Sequence, residues 1–262
     1  MIEGQLRSGT PAEDLEPELL ELLELLYLCL AMGFAGRYQI EADGSLRLSA
    51  IQDLGSMDVL CTDKTGTLTQ DKIILEHHYD VRGQRDDRIL QLAWLNSFHQ
   101  SGMKNLMDIA VVEHADALGE SCKPANYRKV DELPFDFVRR RLSVIVQDDL
   151  GQQLMVSKGA VEEMLAVSSQ IADGQEVREL TDADRRALLR QSEEFNAEGY
   201  RVLIVATREI PATEYKQSYR TSDEVKLVVR GFLTFFDPPK DSAAPAIRAL
   251  NDYGVAVKVD RK

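Results

Sequence analysis

Hydrophobic positions along this chain recur with two periods, and the switches between them outline its elements. The run Met57-Asp58-Val59-Leu60-Cys61-Thr62 is short and apolar, as in a buried strand. Alternation around Ile73 and Leu75 predicts an extended segment within 70–81. Helical spacing predicts helices over 89–98, 106–118, 161–168 and 182–197, the last capped by Thr181 and ended by Gly199. Strands are predicted over 127–133 and 142–146, with Asp148-Asp149-Leu150-Gly151 turning the chain into a returning strand over 153–156. A buried strand is predicted over 202–207, and one long or two short strands over 225–236. A helix over 241–253 stops at Gly254, and a last strand starts at 255. Near the N-terminus, residues 1–18 are polar; 18–33 is rich in helix formers, with Glu18, Glu21 and Glu24 on one face and Gly33 as a C-cap. In this order one strand ends at Asp63, a mixed insert follows, and β-α-β resumes near Phe232, so strands separated by the insert are expected to pair in space.

Composition narrows the picture. A chain of 262 residues, 44% hydrophobic and 29% charged, is long enough for one large or two modest globular domains. A net charge of −13 argues against nucleic acid or an anionic lipid surface as the main partner. Cys29, Cys61 and Cys122 are widely spaced and odd in number, which fits a reducing compartment and offers no metal-ligand spacing. His77 and His78 are adjacent and His99 and His114 isolated, so each reads as a surface or core residue. The most apolar run, 19–34, is interrupted by Glu21 and Glu24 and does not read as a membrane span. The N-terminus lacks the pattern of a signal peptide.

The candidate chemistry centres on Asp63-Lys64-Thr65-Gly66-Thr67-Leu68-Thr69. An acidic residue at a strand end, followed at once by a Gly-containing turn, occupies the position where open α/β sheets put reacting groups. Turn N–H groups, Lys64 and the hydroxyls of Thr65 and Thr67 can meet phosphate oxygens. Asp63 is then placed to accept a phosphoryl group. A capped strand-to-turn junction without chemistry is the plainer alternative. A second stretch, Leu133-Pro134-Phe135-Asp136-Phe137-Val138-Arg139-Arg140-Arg141, sets aromatic rings beside cations, a stacking face and charge for a purine triphosphate. Core phenylalanines on a basic loop explain it equally well. Ser157-Lys158-Gly159-Ala160 then puts a lysine before a turn that opens a helix. Asp237 in Phe236-Asp237-Pro238-Pro239-Lys240 ends a strand before two prolines.

The heptad starting at Asp63 resembles the phosphorylation signature of the P-type ATPases, and the chain resembles that family from about Leu46 to its end. Ala50-Ile51-Gln52, the Gln70-Asp71-Lys72-Ile73 continuation, Trp94-Leu95-Asn96-Ser97 and Pro134-Phe135-Asp136-Phe137 with three arginines are most similar to the bacterial magnesium-importing (MgtA/MgtB-type) branch. The resemblance implies an α/β fold: an incomplete haloacid-dehalogenase-like phosphorylation domain (46–72 and 230–262) with an inserted α+β nucleotide-binding domain (73–229), preceded by a short helical segment (1–45). It implies ATP and Mg²⁺ as cofactors, with Asp63, Lys64, Thr65 and Thr67 catalytic and Asp63 and Thr65 on the metal. Phe135 would stack on adenine and Asp108 face its edge. Arg140, Lys158 with Gly159, and Arg201 would meet the nucleotide, and Asp237, in the returning hinge, would help organise the nucleotide–phosphate region. Phe137 is expected in the core, and Arg139 and Arg141 could as well be solvated. Haloacid-dehalogenase phosphatases usually carry a second Asp two residues after the nucleophile; here Thr65 stands there and cannot act as an acid or base at neutral pH, so an aspartyl phosphate should persist.

The implied setting is the cytoplasmic face of the bacterial inner membrane, reached through transmembrane helices of a parent pump that this chain does not contain. No Thr-Gly-Glu and no Gly-Asp-Gly-x-Asn-Asp segment occurs, and Asp260-Arg261-Lys262 stands where the family continues with Thr-Gly-Asp. A truncated region that binds ATP but turns over slowly or not at all is therefore expected. The alternatives are a non-catalytic nucleotide-binding remnant of a rearranged gene and a haloacid-dehalogenase-type phosphatase. Residues 19–40, around Leu26-Tyr27-Leu28-Cys29-Leu30-Ala31-Met32-Gly33-Phe34, resemble instead the DotU family of type VI secretion.

Overall fold

The computed structural model describes residues 58–63, 67–70, 72–101, 104–124, 126–174, 176–252 and 254–260. The expected N-terminal helix and the residues Lys64, Thr65 and Gly66 lie outside these. The chain divides into two compact units, one of residues 73–237 and one formed by 1–72 with 238–262. Together they make a mixed α/β structure dominated by one many-stranded sheet.

In the larger unit, alternation within the strands sorts side chains onto two covered faces. Strand β8 (Arg201–Ile210) sends Leu203 and Val205 to one face and Val202, Ile204 and Ala206 to the other. Its neighbours divide alike: β4 (Arg141–Asp148) gives Leu142, Val144 and Val146 to the first face and Ile145 to the second, and β5 (Gln153–Gly159) gives Val156 to the first and Met155 to the second. A sheet buried on both sides is why these segments read as near-continuous apolar runs. Helices α1 (Asp87–His99) and α2 (Leu106–Leu118) cover the first face. Helices α3 (Val161–Val167) and α4 (Asp182–Ala197) cover the second. Helix α4 starts in the Thr181–Asp184 capping box.

The sheet has eight strands. With β3 (Tyr127–Asp136), β6 (Ser168–Asp173), β7 (Glu176–Glu179) and β9 (Leu227–Phe236), its order is β3-β4-β5-β8-β9-β6-β7, and β2 (Ile74–Asp80) also pairs with β9. The outer edge of β9 is shared: Leu227–Val229 pairs with β6 in parallel, and Gly231–Phe236 with β2 antiparallel. Gly231 sits at the switch, where an added Cβ would come 2.0 Å from the Tyr79 carbonyl oxygen. The expected return to the smaller unit near 230 falls inside β9, which runs unbroken through this sheet; the smaller unit resumes at Pro238. Strands β6 and β7 were not foreseen. The first follows α3 with no Gly or Pro between, and the second, Glu176-Val177-Arg178-Glu179, is exposed throughout and has no apolar face.

In the smaller unit β1 (Val59–Asp63) and β10 (Ala256–Asp260) pair in parallel across the long insert, with Asp63 and Asp260 in register at their ends. Helix α5 (Ala243–Asp252) packs Ala243, Ala246 and Leu250 with Leu60, Leu68 and Val255. The Gln70 amide donates to the Pro238 carbonyl (2.8 Å) and the Lys240 amide to that of Leu68 (2.9 Å), so the outgoing and returning segments run side by side.

Candidate functional site

A buried polar cluster forms where the C-terminal end of β5 meets the ends of α1 and α2. The Asn105 side chain caps α2 by accepting from the Asp108 amide (2.9 Å), which puts Asp108 in the first turn, where a negative charge is favoured. Asn96 pins α1 to β5 by donating to the Val156 carbonyl (2.7 Å). That brings Ser97 and Lys158 to Asp108. The Lys158 ammonium donates to the Asp108 carboxylate and to Ser97, and the Ser97 hydroxyl donates to Asp108 at 3.0 Å. Lys158 and Asp108 are 3% and 0% exposed, so neither charge could be kept there without the other. Burial pulls the Lys158 ammonium below the ordinary lysine range, and the Asp108 carboxylate opposes that pull. With its nitrogen turned inward, Gln100 donates to both Asp108 oxygens (3.2 and 2.8 Å). A cluster of a carboxylate, an ammonium, a hydroxyl and an amide can both donate and accept hydrogen bonds.

The hairpin joining β3 and β4 crosses the chain at Gly159, the residue after Lys158. Asp136 shapes its turn, accepting from the amides of Val138 (2.6 Å) and Arg139 (3.0 Å). Arg140 adopts φ 46° and its carbonyl accepts from the Ala160 amide (3.0 Å). A Cβ on Gly159 would lie 2.4 Å from the Arg141 Cβ and 2.6 Å from the Arg140 carbonyl oxygen, so only glycine lets the hairpin cross here. Phe135 is half exposed and meets Phe137 edge-on, at 5.2 Å between centroids. Phe137, expected in the core, is 89% exposed. It stands past the end of β3, in the turn of the hairpin, where no sheet face covers it. Arg139 and Arg141 are not solvated: both bind Glu224, which is wholly buried. Arg140 instead reaches Glu163 of α3 (2.9 Å) and stays mostly exposed.

Arg201 and Asp237 meet at the other end of β8 and β9, 2.6 Å apart, and one Asp237 oxygen is buried without a hydrogen bond. A separate cleft of about 290 Å³ runs along α1 past Asp86, Arg88, Tyr127 and Arg230, and neither Asp108 nor Lys158 lines it.

Residues 95–242, more than half of the chain, match the family described as "P-type ATPase, cytoplasmic domain N". The chain belongs to the P-type ATPases. Magnesium-transporting ATPase, P-type 1 of Salmonella typhimurium is 46% identical over 259 residues, 98% of this chain and 28% of that protein. The protein of the same name from Escherichia coli K12 is 46% identical over 212 residues, 81% of this chain and 23% of its own length. Calcium-transporting ATPase 1 of Lactococcus lactis is 28% identical over 225 residues, 79% of this chain and 25% of its own length. The chain thus spans about a quarter of the length of these relatives. Residues 12–67 also match the family described as "Type VI secretion system protein DotU". The Salmonella alignment nevertheless takes in most of that same segment. No helix among the described residues is long and apolar enough to cross a membrane.

Within this P-type ATPase chain, the structure brings Asp108 and Lys158 into contact and sets Gly159 against the arginine hairpin. Arg140 is directed to Glu163, and Arg201 with Asp237 stands apart from the cluster. Asp63 ends β1, and Thr67 follows just beyond Lys64–Gly66. Ser97, Gln100 and Glu224 had not been singled out for these contacts. Ser97 could have been found from its helical register with Trp94, a core residue. Glu224 follows a single helical turn, Thr221–Asp223, and no periodicity marks it. Among the described residues no three His, Cys, Asp or Glu side chains form a metal site.

Proposed function

We propose that this chain is the ATP-binding and aspartyl-phosphorylation region of a P-type cation pump, with magnesium as the transported ion. The observation that carries the reading is the buried Asp108–Lys158–Ser97 cluster, which lies inside the span matched by the family. Asp108 and Gln100 face the adenine edge, and Lys158 steadies that carboxylate and the bound nucleotide. Phe135 offers a ring to stack on, and the exposed Arg140 exchanges Glu163 for the phosphates. Residues 73–237 serve as the nucleotide-binding domain, and 46–72 with 238–262 as a haloacid-dehalogenase-like phosphorylation domain. A carboxylate oxygen of Asp63 attacks the γ-phosphorus, the bond to the β–γ bridging oxygen breaks, and ADP leaves. Asp63 and Thr65 would hold Mg²⁺ together with the nucleotide phosphates, and the ion would supply charge neutralisation there. Lys64 and Thr67 hold the transferred group. Thr65 cannot activate water, so the aspartyl phosphate outlives its formation. Arg201 approaches the phosphates from the hinge side, steadied by Asp237. In the parent pump this region sits at the cytoplasmic face of the bacterial inner membrane. Alone it turns over slowly.

Calorimetric titration with ATP, followed by labelling with γ-³²P-ATP and Mg²⁺, tests the reading. Saturable ATP binding that Lys158→Met abolishes is expected, with faint hydroxylamine-labile label that Asp63→Asn removes. Absence of ATP binding overturns the nucleotide site. Strong labelling overturns the slow turnover.

A further inference from the structure

We infer that Glu224 is a positioning residue for the adenine-stacking ring, acting through Arg139; this rests on the nucleotide-binding reading above. Phe135 lacks the supports that usually fix an aromatic side chain. It is 44% exposed, and its one ring neighbour, Phe137, is itself almost wholly exposed. The ladder does not hold its backbone either. Register between β3 and β4 is lost from Leu133 to Asp136, and Pro134 has no N–H to donate. A guanidinium takes the ladder's place. Arg139 donates through Nη2 to the Pro134 carbonyl (2.6 Å), in the peptide bond that leads into Phe135, and through Nη1 to Glu224 Oε2 (2.6 Å).

Glu224 anchors that clamp to the sheet. Arg141 Nε donates to the same Oε2 at 2.9 Å, and Arg141 lies in register with Gly159. The Ser143 hydroxyl donates to Oε1 at 2.6 Å and is bonded to Ser157 (2.7 Å), the residue before Lys158. One buried carboxylate therefore ties the backbone before Phe135 to the strand that carries Lys158. It also keeps two of the three arginines away from the phosphates, leaving Arg140 as the mobile cation. The charge-assisted bonds around it are the strong kind, and the carboxylate has no solvent to replace them.

Loss of the clamp should loosen base stacking and leave phosphate binding intact. Free arginines released near the phosphates would do the opposite. Titrations of the full chain with ATP, AMP and tripolyphosphate separate the two. Glu224→Gln should weaken ATP and AMP by the same factor, about tenfold, without weakening tripolyphosphate. Arg139→Met, which leaves Glu224 with Arg141 and Ser143, should give the same pattern and serves if the Gln variant does not fold. Trypsin should cut within Arg139–Arg141 faster in either variant, with or without ligand. Unchanged ATP and AMP affinity in a folded variant overturns the inference while leaving the nucleotide site standing. A loss confined to tripolyphosphate and ATP, with AMP unaffected, also overturns it. Failure of the unaltered chain to bind ATP removes the site and the inference with it, even if the hairpin becomes trypsin-sensitive.

Discussion

Among the described residues of the larger unit two carboxylates are fully buried, one toward each covered face of the sheet, and they are neutralised differently. Asp108, toward α1 and α2, has a single cation, Lys158, supplemented by Ser97 and Gln100. Glu224, toward α3 and α4, has two guanidinium groups and Ser143. Arginine's planar fork suits a permanent clamp. A lysine ammonium is a point charge on a flexible stem, and burial already holds it below its ordinary range. The first arrangement hangs on one point charge; the second is held by two forked ones.

The sharpest break between them is the removal of one cation from each. Lys158→Met leaves the Asp108 charge buried with only neutral donors, which costs about 3–5 kcal/mol. Arg139→Met leaves Glu224 paired with Arg141, and a loss of about 1 kcal/mol is expected. Urea unfolding followed by the fluorescence of the single tryptophan, Trp94, reads the larger unit, because that ring is buried in α1. Equal losses in the two variants would mean that the number of counter-ions does not distinguish the sites.

The two carboxylates also differ in how visible they are in sequence. Asp108 opens a periodic helix behind an Asn cap, and Lys158 stands before a Gly at a strand end, so local rules place both. Their contact depends on how α1 and α2 lie on the sheet, which no local pattern encodes. Most strands and helices of the larger unit were legible for the same reason: β4, β5, β8 and α4 carry strong periods. The hairpin was legible in composition but not in shape. Phe137 stands outward in the turn while Arg139 and Arg141 reach the buried Glu224, and the register slips beside Pro134, a feature of pairing between strands rather than of local pattern. Glu224 comes 81 residues after Ser143, in an irregular segment, and only the fold joins them. The motif around Asp63 was read from residue types alone; its strand and the parallel partner β10 are in place, and Lys64–Gly66 lie outside the described residues.

Acid should separate the two faces by a smaller margin. Helix α2, which carries Asp108, also carries His114, whose ring lies 5.6 Å from that of His78 on β2, and the Nε2 atoms of both are buried without partners. Burial holds both imidazoles below the usual histidine range; Arg85 lowers both further, and His78 lowers His114. Asp87 opposes the shift at both rings, Glu76 at His114 and Asp86 at His78. The folded unit keeps them neutral while the unfolded chain takes up protons from about pH 6.5 downward. Their contribution is therefore fully present above that pH and is lost as pH falls from there toward the depressed folded values. The Trp94 urea midpoint should drop between pH 7.5 and 5.5, and His114→Phe should flatten the drop. The Glu224 clamp, made of arginines and serine, contains no histidine. An equal acid loss in His114→Phe and the unaltered chain would assign the sensitivity elsewhere, His99 being the other histidine that burial shifts.

The smallest expected effect concerns the tip of the hairpin that the Glu224 clamp holds. Phe137 is nearly free of protein contact, so Phe137→Ser should change stability by less than about 0.5 kcal/mol. Its edge-on contact with Phe135 adds little when one ring is in water, so ATP affinity should also be unchanged. Phe135→Ala removes the proposed stacking face and should weaken ATP and AMP alike, as the loss of Arg139 would. If Phe137→Ser weakened ATP as much as Phe135→Ala, the two rings would act as one platform that folds over the base on binding. The clamp would then matter for where the whole tip can reach as well as for one residue's backbone, and the contrast with Asp108 would narrow, because both carboxylates would be guarding parts that move when nucleotide arrives.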